Sequence, residues 1–187
     1  MTTYLGSSYQ VRRIIGLSSN DLSDAEVAAR LQESDNLLRS KHFANYMEDQ
    51  QPVLNIGRNQ GIRRAYETYF PIKANSSVVV MLNGVALTLT TDYTVTGSII
   101  TIANSVQMFE NDQLVFKYIP DFFDDYCSYI AARRILDSGM IDTSANSSMS
   151  QIRANVKEQI QEYERIVAAK PYVGRWKDHY QNWNEIY

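Results

Sequence analysis

The middle of the chain carries the clearest alternation of apolar and polar positions, and this alternation predicts antiparallel strands. Two apolar runs, 78–82 and 85–89, flank Asn83 and Gly84, a pair typical of a two-residue hairpin turn in which both residues take positive φ. Such a turn fixes the register, because a slip of one residue would move every side chain to the opposite face. The predicted pairs bring six apolar side chains onto one face: Leu82 with Val85, Val80 with Leu87, and Val78 with Leu89.

The tip of this hairpin, Asn83 and Gly84, is a predicted interface. Both faces of the hairpin carry apolar residues, since Val79, Met81 and Ala86 lie opposite the six paired side chains. A lone two-stranded hairpin is only marginally stable in water, so it needs further strands or a partner. We therefore expect the tip to contact a neighbouring subunit or a neighbouring ring.

Further segments continue the strand pattern on both sides of this hairpin. Residues 92–102 alternate around a turn at Thr96–Ser98, and residues 113–118 alternate again after a turn at Phe109–Asp112. Residues 62–72 are expected to form an extended approach strand. Side chains at every second position share one face of a strand, and after the hairpin that face is apolar: Tyr93, Val95, Ile100, Ile102, Leu114, Phe116 and Tyr118.

Helical spacing of apolar residues precedes the strands. A short helix is predicted over Tyr9–Leu17 with Ser8 as its cap, because a serine hydroxyl satisfies a free amide at a helix start. Ser23 and Glu26 have the spacing of a capping box, in which each side chain accepts a hydrogen bond from the other residue's amide. The pattern predicts a second helix from this box to about Tyr46.

Two more helices are predicted after the strands. Asp121 is expected to cap a third helix, which is apolar on nearly every face and therefore central and buried. Its first turn contains Asp124 and Asp125, and we interpret these carboxylates as partners of the helix dipole rather than as a catalytic pair. Ser150 is expected to cap a fourth helix with one apolar stripe, which is typical of an outer helix.

These elements predict an α+β fold: an α-helical bundle of about four helices with an inserted antiparallel β-sheet module and a C-terminal aromatic tail. The helical scaffold is expected at residues 1–60 and 119–170, with a loop over 50–61, and the sheet module at 61–118. Residues 171–187 form the tail, which either folds back on its own scaffold or docks on a partner. Its aromatic residues recur at the spacing of one helical face: Tyr172, Trp176, Tyr180, Trp183 and Tyr187.

Composition argues against several classes of protein. The 187 residues carry a net charge of −3, which gives no general attraction to nucleic acid or to anionic membranes. The single cysteine, Cys127, lies in the apolar third helix and is expected to be a small core residue. The histidines, His42 and His179, lack the spacing of metal ligands, and no phosphate-binding glycine loop occurs. We expect no catalytic site, no metal site and no cofactor, and therefore no enzyme.

The order of these motifs resembles one family of proteins. The chain opens with Tyr9–Leu17, of sequence YQVRRIIGL, and continues with Leu22–Asp24 and a long helix, which looks like the start of tailed-phage head-to-tail connector (adaptor, or head-completion) proteins. The segment from Asn83 to Tyr118 is similar to a β module that recurs in phage structural proteins. The predicted sheet is larger than the short loop or hairpin of the simplest adaptors.

The resemblance implies a structural protein of the virion neck, assembled in the host cytoplasm, whose last long helices lie against the first. Such adaptors form a ring, usually of twelve copies, under the portal, extend the DNA channel and provide a platform for the stopper or tail. The implied partners are the portal protein, neighbouring copies, the stopper or tail protein and passing double-stranded DNA, with no membrane. A slightly acidic chain suits a channel that does not hold DNA. The aromatic tail would then dock on the portal or between adjacent copies.

Two alternatives remain open at this point. The first is another virion part, such as a tail-completion, baseplate or fibre-attachment protein, which an image of the assembled particle would separate by position. The second is a nucleic-acid-binding module that uses Arg58, Arg63 and Arg64, with Tyr66 and Tyr69 nearby. A solvated strand face with subunit contacts explains the same residues, and salt-dependent DNA binding would distinguish the two.

Overall fold

The computed structural model describes residues 5–41, 47–56, 61–74, 78–139 and 147–169. Within these residues the chain forms four helices and seven strands, and the strands pair in two antiparallel sheets. The expected α+β class, with about four helices and antiparallel sheets, is confirmed. The elements in chain order are α1 (Ser8–Ile15), α2 (Asp24–Lys41), β1 (Met47–Pro52), β2 (Ala65–Glu67), β3 (Val79–Leu82), β4 (Val85–Ala86), β5 (Tyr93–Thr96), β6 (Ile99–Ile102), β7 (Gln113–Tyr118), α3 (Phe123–Asp137) and α4 (Ser147–Ala168).

The described residues form two compact units, one of helices and one of strands. The strand unit is an insertion between α2 and α3. It begins earlier than predicted, because β1 lies within residues 1–60, where the sequence indicated the end of a helix and a loop. The β1 sequence, MEDQQP, has no apolar alternation, and its strand conformation follows from pairing along the whole of β7.

Helix α1 begins one residue earlier than the sequence indicated. Ser7, rather than Ser8, is the cap, and its Oγ accepts a hydrogen bond from the Gln10 amide at 3.4 Å. Backbone conformation decides between the two serines, because Ser7 is extended (φ −138°) while Ser8 is already helical. Val11 and Ile15 are fully buried and form the inner face of the helix.

The capping box of α2 is confirmed. The Glu26 carboxylate accepts a hydrogen bond from the Ser23 amide at 3.1 Å, and the Ser23 Oγ accepts one from the Glu26 amide at 3.3 Å. Leu31 and Leu38, two helical turns apart, are buried on the inner face of this helix. The predicted continuation of the helix to Tyr46 lies outside the described residues.

Asp121 does not cap α3, contrary to the prediction. The residue before the helix is Phe122, whose backbone is already helical (φ −69°, ψ −7°) and whose side chain makes no capping hydrogen bond. The Asp121 amide donates instead to the Pro71 carbonyl oxygen at 3.0 Å, within the strand unit. Helix α3 is buried along most of its length, as expected: Phe123, Tyr126, Cys127, Ser128, Ile130, Ala131, Ala132, Ile135 and Leu136.

The first turn of α3 holds the N-terminal segment of the chain. Asp124 Oδ1 accepts a hydrogen bond from the Gly6 amide at 2.9 Å, and Asp125 Oδ1 accepts one from Gln10 Nε2 at 2.6 Å. Gly6 has a φ of +86°, and a Cβ atom there would lie 2.7 Å from Leu31 Cδ2. Asp124 and Asp125 therefore hold the N-terminal segment in place. A side chain at position 6 would clash with its neighbours, so only glycine is accommodated there.

Helix α4 begins at Ser147, so the predicted cap Ser150 lies inside its first turn. Its apolar stripe packs against α3 within the helical unit. Val156 is buried, and the ring of Tyr163 stacks on that of Phe122, with centroids 5.8 Å apart and planes 1° from parallel. The Arg153 guanidinium also donates a hydrogen bond to the Leu136 carbonyl oxygen. The end of α3 thus lies beside the first half of α4, and the start of α3 beside the second half, so the two helices are antiparallel.

The predicted register of the β3–β4 hairpin is confirmed near its turn and lost further away. Leu82 pairs with Val85, and Asn83 and Gly84 both take positive φ, 50° and 84°. The Leu87 amide also donates to the Val80 carbonyl oxygen, as the register requires. The predicted Val78–Leu89 pair is absent, because Leu89 bridges to Tyr93 instead.

The single predicted sheet is in fact two sheets. One has the order β1-β7-β3-β4 and the other the order β2-β6-β5. The predicted β5–β6 hairpin is confirmed, with Tyr93 opposite Ile102 and Val95 opposite Ile100. Large apolar side chains at every second position are buried, and they form the core of the unit: Tyr66, Phe70, Val78, Val80, Tyr93, Ile100, Ile102, Leu114, Phe116 and Tyr118.

Gly84→Val tests the hairpin turn. We expect the free energy of unfolding to fall by more than about 1 kcal/mol, because a β-branched residue is forced to positive φ. A Cβ atom at Gly84 would meet nothing within 4 Å, so the loss would come from the backbone and not from a clash. Gly84→Asn is the matched control and should lose less, since asparagine tolerates this conformation. Equal denaturation midpoints for Gly84→Val and the unchanged protein would contradict the turn.

Candidate interaction surface

One residue, Asp112, joins three segments at one end of the four-stranded sheet, through its carboxylate and its backbone oxygen. Asp112 lies just before β7, and its backbone oxygen accepts a hydrogen bond from the Val53 amide at 2.7 Å. Its Oδ1 accepts from Asn83 Nδ2 at 2.8 Å, and its Oδ2 accepts from the Phe109 amide at 2.7 Å. The segment after β1, the β3–β4 turn and the turn before β7 are therefore fixed together. We call this arrangement the Asp112 clasp.

Asn83 of the predicted hairpin tip belongs to this clasp. Its backbone amide donates to the Gln113 carbonyl oxygen, and its Oδ1 accepts from the Gln113 amide, both at 2.8 Å. The side chain of Asn83 thus reaches back to the start of β7 and satisfies an amide there. At the tip, the sequence identified the correct turn, but the exposed apolar side chain is that of the next strand residue, Val85.

Three large apolar side chains are exposed on the segments that the clasp joins. Ile56 is 48% exposed, Val85 68% and Phe109 66%. We call these three residues the apolar rim. Single exposed apolar residues are common on protein surfaces, and these three are the candidate interaction surface because hydrogen bonds of the clasp join the segments that carry them. The rim is held by hydrogen bonds within the unit, so it needs no partner to take its shape.

The electrostatics of the clasp favour an ionised Asp112. Two hydrogen bonds lower the pKa of Asp112 below its ordinary value of 3.8. The larger effect comes from the side-chain amide of Asn83 and the smaller from the backbone amide of Phe109. The clasp is therefore formed at neutral pH and weakens only in acid. Nothing in the sequence spacing of residues 53, 83 and 112 indicated this contact, because it depends on the pairing of distant strands.

A second carboxylate, Asp49, anchors the interior of the strand unit. It lies on β1 and is buried, and its Oδ2 accepts hydrogen bonds from the Tyr118 hydroxyl at 2.8 Å and the Tyr69 amide at 2.7 Å. The Tyr118 oxygen in turn accepts a hydrogen bond from the Phe70 amide at 3.0 Å. Burial, together with the nearby Asp49 carboxylate, raises the pKa of Tyr118, so its hydroxyl stays protonated and can donate. The sequence did not indicate this site, because β1 is polar and has no strand pattern of its own.

The arginines proposed for nucleic-acid binding have structural contacts. The Arg64 guanidinium donates to the carbonyl oxygens of Ala103 and Val106 at 2.7 and 2.8 Å. The Arg63 guanidinium carbon lies 5.2 Å from the ring centroid of Tyr66. Tyr66 itself is buried, and that burial raises its pKa to about 12. A nucleic-acid base therefore cannot stack on this ring, which lies inside the unit.

Several residues singled out in the sequence lie outside the described part of the chain. These are Arg58, His42, His179 and the five aromatic residues predicted to dock: Tyr172, Trp176, Tyr180, Trp183 and Tyr187. Cys127 is described, and it is buried, with its sulfur 3.7 Å from the Leu31 carbonyl oxygen. It is the small core residue that the sequence predicted.

Asp112→Asn tests the clasp. The variant keeps the size of the side chain but cannot accept hydrogen bonds from both Asn83 and Phe109, so we expect a lower free energy of unfolding at pH 7. Because the folded pKa is depressed, the stabilisation is complete above the unfolded pKa and is lost as pH falls through the folded pKa. The difference between variant and unchanged protein should therefore narrow in denaturation series below about pH 4.

Asp121→Asn is the matched control for this series. Asp121 is exposed, and its side chain does not cap α3, so the exchange should leave the free energy of unfolding nearly unchanged at every pH. A difference between Asp112→Asn and the unchanged protein that stays constant with pH would contradict the role given to the Asp112 charge.

No protein-family model matches the chain, and no curated protein matches it either. Among the described residues, no group of three or more histidine, cysteine, aspartate or glutamate side chains is arranged to hold a metal ion. None of the helices in the described ranges has the length and apolar character of a membrane-spanning helix.

Proposed function

We propose that the protein is a head-to-tail adaptor, a structural component of the neck of a tailed-phage virion. In this role it docks as a ring under the portal, extends the DNA channel and provides the platform for the stopper or tail. It is not an enzyme and uses no cofactor. Its partners are neighbouring copies, the portal and the next neck or tail protein, while double-stranded DNA passes without specific binding.

The observation that carries the proposal is the apolar rim. Ile56, Val85 and Phe109 leave apolar surface in water, where each square ångström is unfavourable by roughly 25 cal/mol. The Asp112 clasp already fixes the segments that present them. A partner that covers the rim therefore gains hydrophobic burial without the entropy loss of ordering loops. In a ring the same contact repeats in every copy, which turns a weak single contact into firm attachment.

The helical unit agrees with what the resemblance implies. Connector proteins of this kind are expected to pack their last long helices against the first. Here α3 accepts hydrogen bonds from Gly6, which lies just before α1, and from Gln10, which lies within α1, and α4 also contacts α1. This packing is consistent with a rigid helical unit.

The aromatic tail and the net charge complete the proposal. Residues 171–187 are proposed to dock on the portal or on a neighbouring copy in the assembled ring. The net charge of −3 suits a channel wall that leaves DNA free to move. Residues that face the channel are expected to be mostly acidic or neutral.

The proposal is tested by the mass of the protein alone and mixed with the purified portal. We expect a ring-sized complex with the portal, of about twelve copies, the number that the resemblance implies. Val85→Asp and Phe109→Asp place a charge in the rim, and each should weaken attachment about tenfold or more, equivalent to about 1.4 kcal/mol. Circular dichroism should show that both variants keep their fold, because the two side chains are exposed.

Ile99→Asp is the matched control for the rim variants. Ile99 is also an exposed apolar residue, 46% exposed, but it lies on β6 of the other sheet and on none of the segments that the clasp joins. The Ile99→Asp variant should attach to the portal as the unchanged protein does. A protein that forms no complex with the portal would contradict the adaptor role, and normal assembly of both rim variants would contradict the role of the rim.

A further inference from the structure

The helical unit has an open groove between α2, α3 and α4. Its floor is apolar, formed by Leu38, Ile130 and Ile160, which are buried at its base. Leu37, on the solvent side of α2, also lines the groove and is 41% exposed. Large apolar side chains on an outer helix are normally covered, so this groove has the character of a docking site.

Arginines line the edge of the groove, and ion pairs hold them in position. Arg30 and Arg134 both donate to Glu33 Oε2 at 2.9 Å, so one carboxylate orients two guanidinium groups from different helices. Arg133 also lines the groove and lies 3.4 Å from the carboxylate of Asp137. An apolar floor with arginines beside it is complementary to aromatic side chains, because guanidinium groups bind the faces of aromatic rings.

We propose that the groove holds the aromatic C-terminal segment of the same chain, residues 171–187. The segment carries five aromatic residues at the spacing of one helical face, and aromatic stripes of this kind bind apolar grooves. They are Tyr172, Trp176, Tyr180, Trp183 and Tyr187. We expect this contact in the free protein. It does not depend on the proposed adaptor function.

The position at which α4 ends favours an occupant from the same chain. Glu164 lines the groove, and the helix ends at Ala168, about one helical turn further on. Since α3 and α4 are antiparallel, that end lies beside the start of α3, where Tyr126 lines the groove. The segment therefore begins next to the site that it would fill, which gives it a high effective concentration there.

The length of the segment fits the groove. Along α3 the lining runs from Tyr126 to Ser138, which is roughly 18 Å at 1.5 Å per residue. Residues 171–187 would span about 25 Å as a helix and about 55 Å fully extended. In either form the segment can follow the whole groove, and Pro171 favours a change of chain direction at its start.

Tryptophan fluorescence gives a direct test, because both tryptophans of the chain, Trp176 and Trp183, lie in this segment. In the full-length protein we expect blue-shifted emission and weaker acrylamide quenching than in a free peptide of residues 170–187. Both signals should be independent of protein concentration, as an intramolecular contact requires. Leu37→Glu should shift the emission and the quenching toward those of the peptide, because it places a charge on the groove.

Asn36→Glu is the matched control, since it makes the same change of charge one residue away, at an exposed position that does not line the groove. It should leave the emission unchanged. Arg133→Glu is a second groove variant, and it leaves the apolar floor intact, so it serves if Leu37→Glu fails to fold. It should also expose the tryptophans. Peptide-like emission from the full-length protein would overturn the proposal, as would emission unaffected by both groove variants. Burial that appears only at high protein concentration would overturn it too, because the segment would then dock on a second copy.

Discussion

Burial of α3 is the constraint on which the helical unit depends. The helix contacts α1, α2 and α4, and its small buried residues Cys127, Ser128 and Ala131 let the neighbouring helices approach closely. Its first turn also binds the N-terminal segment, through the hydrogen bond from Gly6 to Asp124. A helix that is apolar on nearly every face can be stable only inside such a unit. The other three helices therefore take their positions from it.

Carboxylates that accept backbone amides organise both units. Asp124 holds the N-terminal segment, Asp49 holds the residues after β2, and Asp112 holds the turns at one end of the four-stranded sheet. Hydrogen bonds from an amide to a charged acceptor are stronger than those between neutral groups. They fix loops that have little apolar surface of their own. At the Asp112 clasp the fixed loops leave Val85 and Phe109 exposed, and we propose that a partner covers them.

The features predicted correctly from the sequence are those that short-range chemistry determines. The Asn83-Gly84 turn, the β5–β6 alternation and the Ser23–Glu26 capping box each depend on residues within a few positions of one another. The errors concern long-range contacts. Strand β1 is polar and becomes a strand only by pairing with β7, and Asp121 bonds to the strand unit instead of capping α3. The apolar rim could not be predicted, because exposure of Val85 depends on which strand lies at the sheet edge.

The central claim is that the apolar rim is the surface buried on assembly. Oxidative footprinting of side chains, followed by mass spectrometry, measures this directly in the free protein and in the assembled particle. We predict strong modification of Phe109 and Val85 in the free protein, since both are mostly exposed, and a clear loss of modification after assembly. Equal modification of these two residues in both states would contradict the account.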